Sequence, residues 1–308
     1  MNIASLIGAL PGDVAQGIIW GIMALGVFIT SKIFDFADLT VAGSFATGGA
    51  VAVMLIINGW STPLALLMAT LAGIVAGIVT GLLHTVLGIP GILAGILSQI
   101  ALYSINLDIM GCANQTVSVD KYNLLVSLRY VPKSIWIALL FAIVVIALMY
   151  WYFGTEQGSA IRATGSNPSM SRAQGINIDT MKVLALAISN GLVALAGGLI
   201  AQYQGFSDIN MGRGAIVIGL AAVIIGDVLG NAFFGKKMNF IIRLAFVIVG
   251  GIVYYIVIGV VLWLKMPTND LKLFTAIIVA VFLAVPYLRG QAKSSFRKAA
   301  RKGANKNA

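Results

Sequence analysis

The fold is decided by the stretch EQGSAIRATGSNPSMSRAQGINIDTMK, residues 156–182, a polar segment with strongly apolar sequence on both sides. Within it Asn167 is a favourable helix N-cap residue, and Pro168 suits the first helical position. Gly175 can adopt the left-handed backbone conformation that ends a helix. The stretch therefore predicts a short helix from Pro168 to Gln174.

Gly-containing loops flank this helix at residues 158–165 and 175–179 and are expected to present it to the solvent. A helix presented in this way is typical of a docking surface for a partner protein. A plain connector between two membrane spans has the same pattern. The residues of this stretch leave both interpretations open.

The composition is that of an integral membrane protein. Hydrophobic residues make up 59% of the 308 positions and charged residues only 10%, with a mean hydropathy of +0.98, whereas a soluble domain has about 25% charged residues. A membrane span needs about 20 apolar residues, and the chain offers about nine such runs, some short or broken. One all-α membrane domain at 1–288 is therefore predicted. Its spans are expected at 14–31, 39–58, 64–87, 91–107, 134–153, 183–203, 214–230, 240–264 and 271–288.

The positions of Lys and Arg predict the orientation. With the N-terminus outside and the C-terminus inside, 14 of the 20 basic residues fall on the inner side, as the positive-inside rule requires. Residues 156–182 are then cytoplasmic. The tail at 289–308 carries seven Lys or Arg and no acid, so we expect it to lie against anionic lipid rather than to bind nucleic acid. The outer side receives Lys121, Arg129, Lys133, Arg213, Lys265 and Lys272.

Polar residues inside the spans are candidates for a solute path. Gln99, Tyr103 and Asn106 fall at i, i+4 and i+7 of one short span and share a helix face. Ser44 and Thr47 in the second span are further candidates. Each side chain has a structural alternative, because hydrogen bonds between membrane helices use the same residue types.

Glycines recur four residues apart inside several spans, for example Gly73, Gly77 and Gly81. Small residues at this spacing let helix backbones approach closely in lipid. The pattern predicts tight helix packing, which suits contacts within one subunit, a dimer interface or helices that slide.

No pattern of catalytic, metal-binding or cofactor-binding residues is recognised. Cys112 is the single cysteine and His84 the single histidine, so neither belongs to a zinc motif. Residues 230–236 match the phosphate-loop pattern up to its lysine, but Lys237 replaces the required Ser or Thr and two Phe fill the loop. The chain is therefore not expected to be an enzyme or to hold a metal or a cofactor.

If the polar residues in the spans line a solute path, energy for transport must come from a separate ATPase or from an ion gradient. An ion-coupled carrier is expected to place acids at membrane depth. Asp227 is the single acid within a predicted span, and it lies near the cytoplasmic end. This favours a separate ATPase, with an ion-coupled secondary transporter or a channel as the alternative.

Three segments carry a resemblance to a known family. The run G-x-x-I-R-A-x-G-x-N-P-x-x-S-R-x-x-G-I from Gly158 to Ile176 resembles the cytoplasmic coupling loop of ABC importer permeases of the branched-chain amino acid, ribose and nucleoside type. The segments Asp38–Phe45 and Leu97–Leu107 are similar to a subgroup associated with aromatic amino acid uptake.

The resemblance implies a transmembrane subunit whose cytoplasmic helix couples to two copies of an ATPase subunit. It further implies an extracytoplasmic solute-binding protein, a second permease subunit that forms a homodimer, a bacterial inner membrane, and an amino acid as solute, with a sugar or nucleoside still open. The residues that it assigns to ATPase coupling are Arg162, Asn167, Pro168, Ser171, Arg172 and Gly175.

Overall fold

The structure, a computed structural model, describes residues 3–235 and 238–264 together with isolated residues between 273 and 284. Eight helices in these ranges are long and apolar enough to cross a membrane, and they coincide with the first eight predicted spans. The ninth predicted span falls almost entirely outside the described residues, and the basic tail lies wholly outside them. The helices are α1 (Ile3–Phe28), α2 (Thr40–Ile57), α3 (Thr62–Thr85), α4 (Gly91–Met110), α5 (Val131–Gly154), α6 (Glu156–Ser166), α7 (Pro168–Ala173), α8 (Ile178–Gln204), α9 (Ala215–Phe234) and α10 (Phe240–Trp263).

A small sheet marks one end of the helix bundle. Strand β1 (Asn114–Thr116) pairs antiparallel with β2 (Phe206–Asp208), with Gln115 opposite Ser207. The sheet ties the segment after α4 to the turn after α8, and we call this the sheet end. The opposite end carries α6 and α7 and is called the α7 end.

The basic residues separate between these two ends as the sequence predicts. Lys121 and Arg129 lie between α4 and α5, and Lys133 lies in the first turn of α5, all at the sheet end, where Arg129 forms an ion pair with Asp120. Lys32 and the basic residues of α6 and α7 lie at the other end. Which end faces the cytoplasm remains a prediction.

The core is formed by α1, α2 and α8. Of the apolar windows of the spans, 83% is buried in α1 and 72% in both α2 and α8, against 28% in α4 and α5. The predicted close packing by glycine is confirmed for α3 within the subunit. A Cβ at Gly77 would meet the backbone of Leu186 in α8, and one at Gly81 would meet Val183. The first three helices and α8 therefore form a tight centre, with α4 and α5 at its edge.

The chain does not run straight from α1 into α2. A π-helical turn (Ile29–Ile33) ends α1, and non-helical residues lead from it to Asp38 before α2 begins. Both carboxylate oxygens of Asp38 are bonded, one to the backbone N–H of Thr40 at 2.9 Å and the other to the amide of Asn190 at 2.7 Å. Irregular backbone at membrane depth is tolerated where protein buries it, and Asn190 lies at the middle of α8.

One local prediction is wrong. The segment at 158–165 forms most of a helix, α6, rather than a loop. Thr155 caps its N-terminus by accepting a hydrogen bond from the N–H of Gly158 at 3.3 Å. Gly165 provides room rather than flexibility, since a Cβ there would meet the backbone of Ile33 and Phe34. The two glycines of this segment serve close packing, Gly165 against the end of α1 and Gly158 against the backbone of Tyr152 and Phe153 at the end of α5.

Candidate functional site

A cavity of about 330 Å³ lies in the half of the bundle towards the sheet end. Its walls come from α2, from α4 and from the turn that follows β2. The predicted stripe of Gln99, Tyr103 and Asn106 lines it along α4. The other lining residues are Ala42, Gly43, Ile100, Ser104, Ile209, Asn210 and Arg213. The volume is at the lower end of the 300–1,000 Å³ range of small-molecule sites.

Asn106 is the most informative residue of this cavity. Its side chain is only 1% exposed, and neither its oxygen nor its nitrogen has a hydrogen-bond partner. The side-chain oxygen of Asn210 is likewise buried without a partner. Buried polar atoms are nearly always bonded, so these unpaired amide atoms on two residues that line one cavity make it a candidate site for a polar solute.

Asn210 and Arg213 were missed by the path prediction, which searched only the spans. Arg213 is exposed at the cavity, and no carboxylate of the described residues lies within ion-pair distance of it. The turn that carries both residues contains Gly212, where a Cβ would meet the carbonyl of Ala42. A polar segment with one Arg between two apolar runs is a weak sequence signal, because most such segments are ordinary loops.

Ser44 and Thr47, the other predicted path residues, do not line this cavity. Ser44 is fully buried and donates a hydrogen bond to the side-chain oxygen of Asn190 at 2.6 Å. Thr47 donates to the carbonyl of Gly43 within its own helix at 3.0 Å. Both hydroxyls have bonds inside the contact region of α2, so the structure supports the structural alternative for these two residues.

Two acids within or beside the spans, Asp227 and Asp38, have different kinds of partner. Asp227 in α9 lies 3.5 Å from Lys32 and 3.3 Å from Arg243, so it joins three helices at the α7 end through ion pairs. Asp38 lies just outside the predicted second span, yet the structure buries it against the middle of α8. Asp227 is still the single acid within the predicted spans, but it is joined at membrane depth by Asp38. A break between two helices placed a further acid there.

The polar stretch at 156–182 forms two short helices, α6 and α7. The predicted ends of α7 are confirmed. The side chain of Asn167 accepts a hydrogen bond from the N–H of Met170 at 3.0 Å, and Pro168 is the first helical residue. Gly175 has φ of +82°. The N–H groups of Gly175 and Ile176 bond to the last turn of α7 at 3.0 and 3.1 Å, which is the Schellman arrangement.

The α6–α7 surface, defined by Arg162, Asn167, Pro168, Met170 and Arg172, is exposed. Met170 is 58% exposed although it is apolar, and it is not among the predicted coupling residues. Ser171 was predicted to belong to the coupling residues, but it is 2% exposed and its hydroxyl bonds the carbonyl of Asn167 at 3.0 Å. Ser171 thus stabilises α7 from inside, while Met170 and Arg172 form its outer face.

His84, the single histidine, has bonded ring nitrogens. Nδ1 lies 2.8 Å from the carbonyl of Ile89, and Nε2 lies 3.1 Å from Nζ of Lys182. The ring also packs edge-on against Phe36. Within the described residues, no group of three or more His, Cys, Asp or Glu side chains is arranged to hold a metal.

Comparison with known proteins agrees with this architecture. The family model described as "Branched-chain amino acid transport system / permease component" matches residues 13–286. The chain is 41% identical to the tyrosine transport system permease protein of Clostridioides difficile (strain R20291), over 92% of this chain and 93% of that protein. It is also 32% identical to an uncharacterised protein of Rickettsia prowazekii (strain Madrid E), over 58% of this chain and 63% of that protein.

A solved structure has a related fold. PsaBC from Streptococcus pneumoniae, in complex with Fab, superposes with a TM-score of 0.54 at 15% identity, covering 92% of this chain and 95% of that chain. At this identity the likeness concerns the fold alone. The family match over nearly the whole length is the stronger finding, and it shows that the chain belongs to the permease components of the branched-chain amino acid transport system family.

Proposed function

We propose that this permease is the transmembrane subunit of an ABC importer that carries an amino acid, with an aromatic amino acid as the first solute to test. A tyrosine permease relative at 41% identity supports this choice. The observation that carries the proposal is the division of the bundle into a polar cavity at one end and an exposed, well-capped helix at the other. The first suits solute passage and the second suits docking of an ATPase.

The cavity is proposed to be part of the path. Gln99 and Tyr103 lie on the side of α4 that the rest of the subunit leaves partly or fully exposed. Polar side chains at membrane depth usually face protein or a water-filled space rather than lipid. A second copy of this chain, placed against α4, would cover them and enclose the path between two subunits.

Coupling is proposed to pass from the α6–α7 surface into the bundle. Gly165 brings α6 into backbone contact with the end of α1, while a short turn joins α7 directly to α8, one of the core helices. A push on α7 by closing ATPase subunits would therefore reach α1 and α8 without crossing a flexible loop. The coupling residues of this proposal are Arg162, Asn167, Pro168, Arg172 and Gly175, with Met170 as a contact and Ser171 as a support.

Ion coupling is the alternative, and the burial of Asp38 is the observation that favours it. Its bonded partners within the described residues are Thr40 and Asn190, neither of which is a cation. An acid at membrane depth is a common feature of ion-driven carriers. The saturated hydrogen bonds of Asp38 favour a structural role instead.

The deciding experiment reconstitutes the permease in proteoliposomes with its ATPase subunit and binding protein and measures uptake of radiolabelled L-tyrosine. We expect uptake that needs ATP and does not respond to dissipation of proton and sodium gradients. Uptake by the permease alone, driven by an imposed gradient, would instead establish the ion-coupled alternative. A panel of other amino acids, ribose and nucleosides assayed in the same vesicles identifies the solute.

Orientation is tested by cysteine labelling in a Cys112→Ser background. Ser169 in α7 and Asn123 at the sheet end are both exposed and suit this purpose. Ser171 does not, because it is buried. We expect Asn123→Cys to react with an impermeant maleimide added outside intact cells, and Ser169→Cys to react after permeabilisation only. The reverse pattern would contradict both the cytoplasmic location of α7 and its coupling role.

A further inference from the structure

Arg213 occupies an unusual position for a charged residue of this chain. It lines the polar cavity together with Asn106 and Asn210, yet it has no ion-pair partner within the described residues. Arg129, another cation at the same end, is paired with Asp120. The guanidinium of Arg213 is thus free to meet an anion that enters the cavity.

The turn that holds Arg213 is well ordered by its own bonds. The side chain of Asp208 accepts a hydrogen bond from the N–H of Asn210 at 2.7 Å, and the carbonyl of Asn210 accepts one from the N–H of Arg213 at 3.0 Å. Gly212 lets this turn lie directly on α2, as its contact with Ala42 shows. The backbone of Arg213 is therefore fixed relative to the cavity wall, which lowers the cost of ordering the side chain on binding.

The remaining polar groups of the cavity include acceptors for a cation, beside the unpaired amide nitrogen of Asn106, which can donate a hydrogen bond to the solute. Asn106 and Asn210 each bring an amide oxygen without a partner to the same cavity. An amide oxygen accepts hydrogen bonds from an ammonium group, whereas a guanidinium binds a carboxylate with two parallel bonds. A cavity with one free guanidinium and two free amide oxygens matches a solute that carries both charges.

We propose that Arg213 anchors the carboxylate of an α-amino acid in the path and that the side-chain oxygens of Asn106 and Asn210 accept its ammonium group. This assignment rests on the proposed transport function and adds the specificity-determining residues to it. Tyr103 and Ile100, which line the same cavity, are left to contact the side chain of the solute.

The test pairs a change in the protein with the matching change in the solute. Purified permease in lipid nanodiscs is titrated with L-tyrosine and with tyramine, the same molecule without its carboxylate. For the wild type we expect L-tyrosine to bind about ten- to a hundredfold more tightly, because a hydrogen-bonded charge pair has this effect. In Arg213→Gln the preference should shrink to within about threefold, since the group that recognises the carboxylate has been removed.

Lys133→Gln is the matched control, because it removes an exposed cation from the same end without touching the cavity. It should keep the wild-type preference. Arg213→Lys should keep part of it, because the charge remains while the paired donors are lost. An unchanged preference in Arg213→Gln would overturn the proposal, and so would an equal loss in Lys133→Gln.

The reconstituted complex separates this result from the transport function itself. ATP-driven uptake of L-tyrosine by the wild type, combined with an unaltered preference in Arg213→Gln, would reject Arg213 as the anchor and keep the proposed function. A wild type that carries ribose or nucleosides but no amino acid would reject the anchor together with the proposed solute. The absence of any ATP-driven uptake by the wild type would reject the proposed function as a whole.

Discussion

Two asparagines in membrane helices of this permease have opposite surroundings. Asn190 in α8 uses its whole amide: the nitrogen donates to Asp38 at 2.7 Å and to the carbonyl of Leu186 at 3.0 Å, and the oxygen accepts from Ser44 at 2.6 Å. Asn106 in α4 is buried to a similar degree and uses none of it. The same residue type thus stabilises the core in one place and faces a cavity in the other.

The difference follows from what each helix packs against. α8 is surrounded by other helices of the bundle, so a polar group there must find its partners within the protein. α4 lies at the edge and shares its cavity with the turn after β2, so Asn106 lacks partners within the subunit, and we propose that its amide meets the solute. A polar residue in a span is therefore a candidate path residue only when its bonds are unsatisfied.

The largest effect on stability is expected at Asn190, whose amide is fully hydrogen-bonded within the protein. Asn190→Leu removes the donor to Asp38 and the acceptor for Ser44, and leaves a buried carboxylate short of a partner. We expect a loss of about 3 kcal/mol of stability, measured as a lower midpoint of thermal unfolding in detergent. Ser189→Ala is the control, since it breaks a single bond to the carbonyl of Gly26 and should cost about 1 kcal/mol. Equal midpoints for the two variants would show that the Asp38 contacts are dispensable.

Asn106→Leu is the counterpart in the cavity. It removes unpaired polar atoms, so stability should change by less than about 1 kcal/mol, whereas uptake should fall about tenfold or more because the polar lining is lost. Gln99→Leu and Tyr103→Ala should reduce uptake in the same way. Pull-down of the ATPase subunit serves as the control and should be unaffected. Normal uptake in all three variants would mean that the stripe faces another helix instead of the path.

The third variant concerns α7, whose capping groups form their hydrogen bonds within the polar segment itself. Gly175 has φ of +82°, and Val there should cost about 1–2 kcal/mol locally. We expect Gly175→Val to be expressed and inserted but to lower ATP hydrolysis stimulated by the binding protein. Gly175→Asn tolerates the left-handed conformation and should retain most of the stimulation. Normal stimulation and pull-down in Gly175→Val would identify the segment as a connector.

The smallest effect is expected from the surface charge of α7. Arg172 is exposed and forms no ion pair among the described residues, and an exposed ion pair with an ATPase would contribute about 0–1 kcal/mol. Arg172→Glu should therefore lower ATPase pull-down about two- to fivefold at low salt, and high salt should reduce the difference. Lys133→Glu at the sheet end should leave pull-down unchanged. An effect of Arg172→Glu that does not depend on salt would argue against a charge contact.

The sequence by itself determined the class of this protein, eight of its spans and the ends of α7. These features depend on local composition and spacing: about 20 apolar residues define a span, and Asn167, Pro168 and Gly175 define a capped helix through contacts within a few residues. The separation of charges between the two ends was also readable, since each Lys and Arg belongs to the loop in which it stands. The i, i+4, i+7 spacing was enough to place Gln99, Tyr103 and Asn106 on one wall of the cavity.

The tertiary structure alone decided which polar groups are satisfied. The partners of Asn190 lie 152 and 146 positions away, at Asp38 and Ser44, and no local pattern encodes such a contact. The structure also placed Asp38 at the depth of the middle of α8, buried Ser171, turned the segment before α7 into a helix, and brought Arg213 to the cavity. Each of these depends on how distant segments pack, because a hydrogen bond or a close glycine contact is fixed by three-dimensional proximity and not by spacing along the chain.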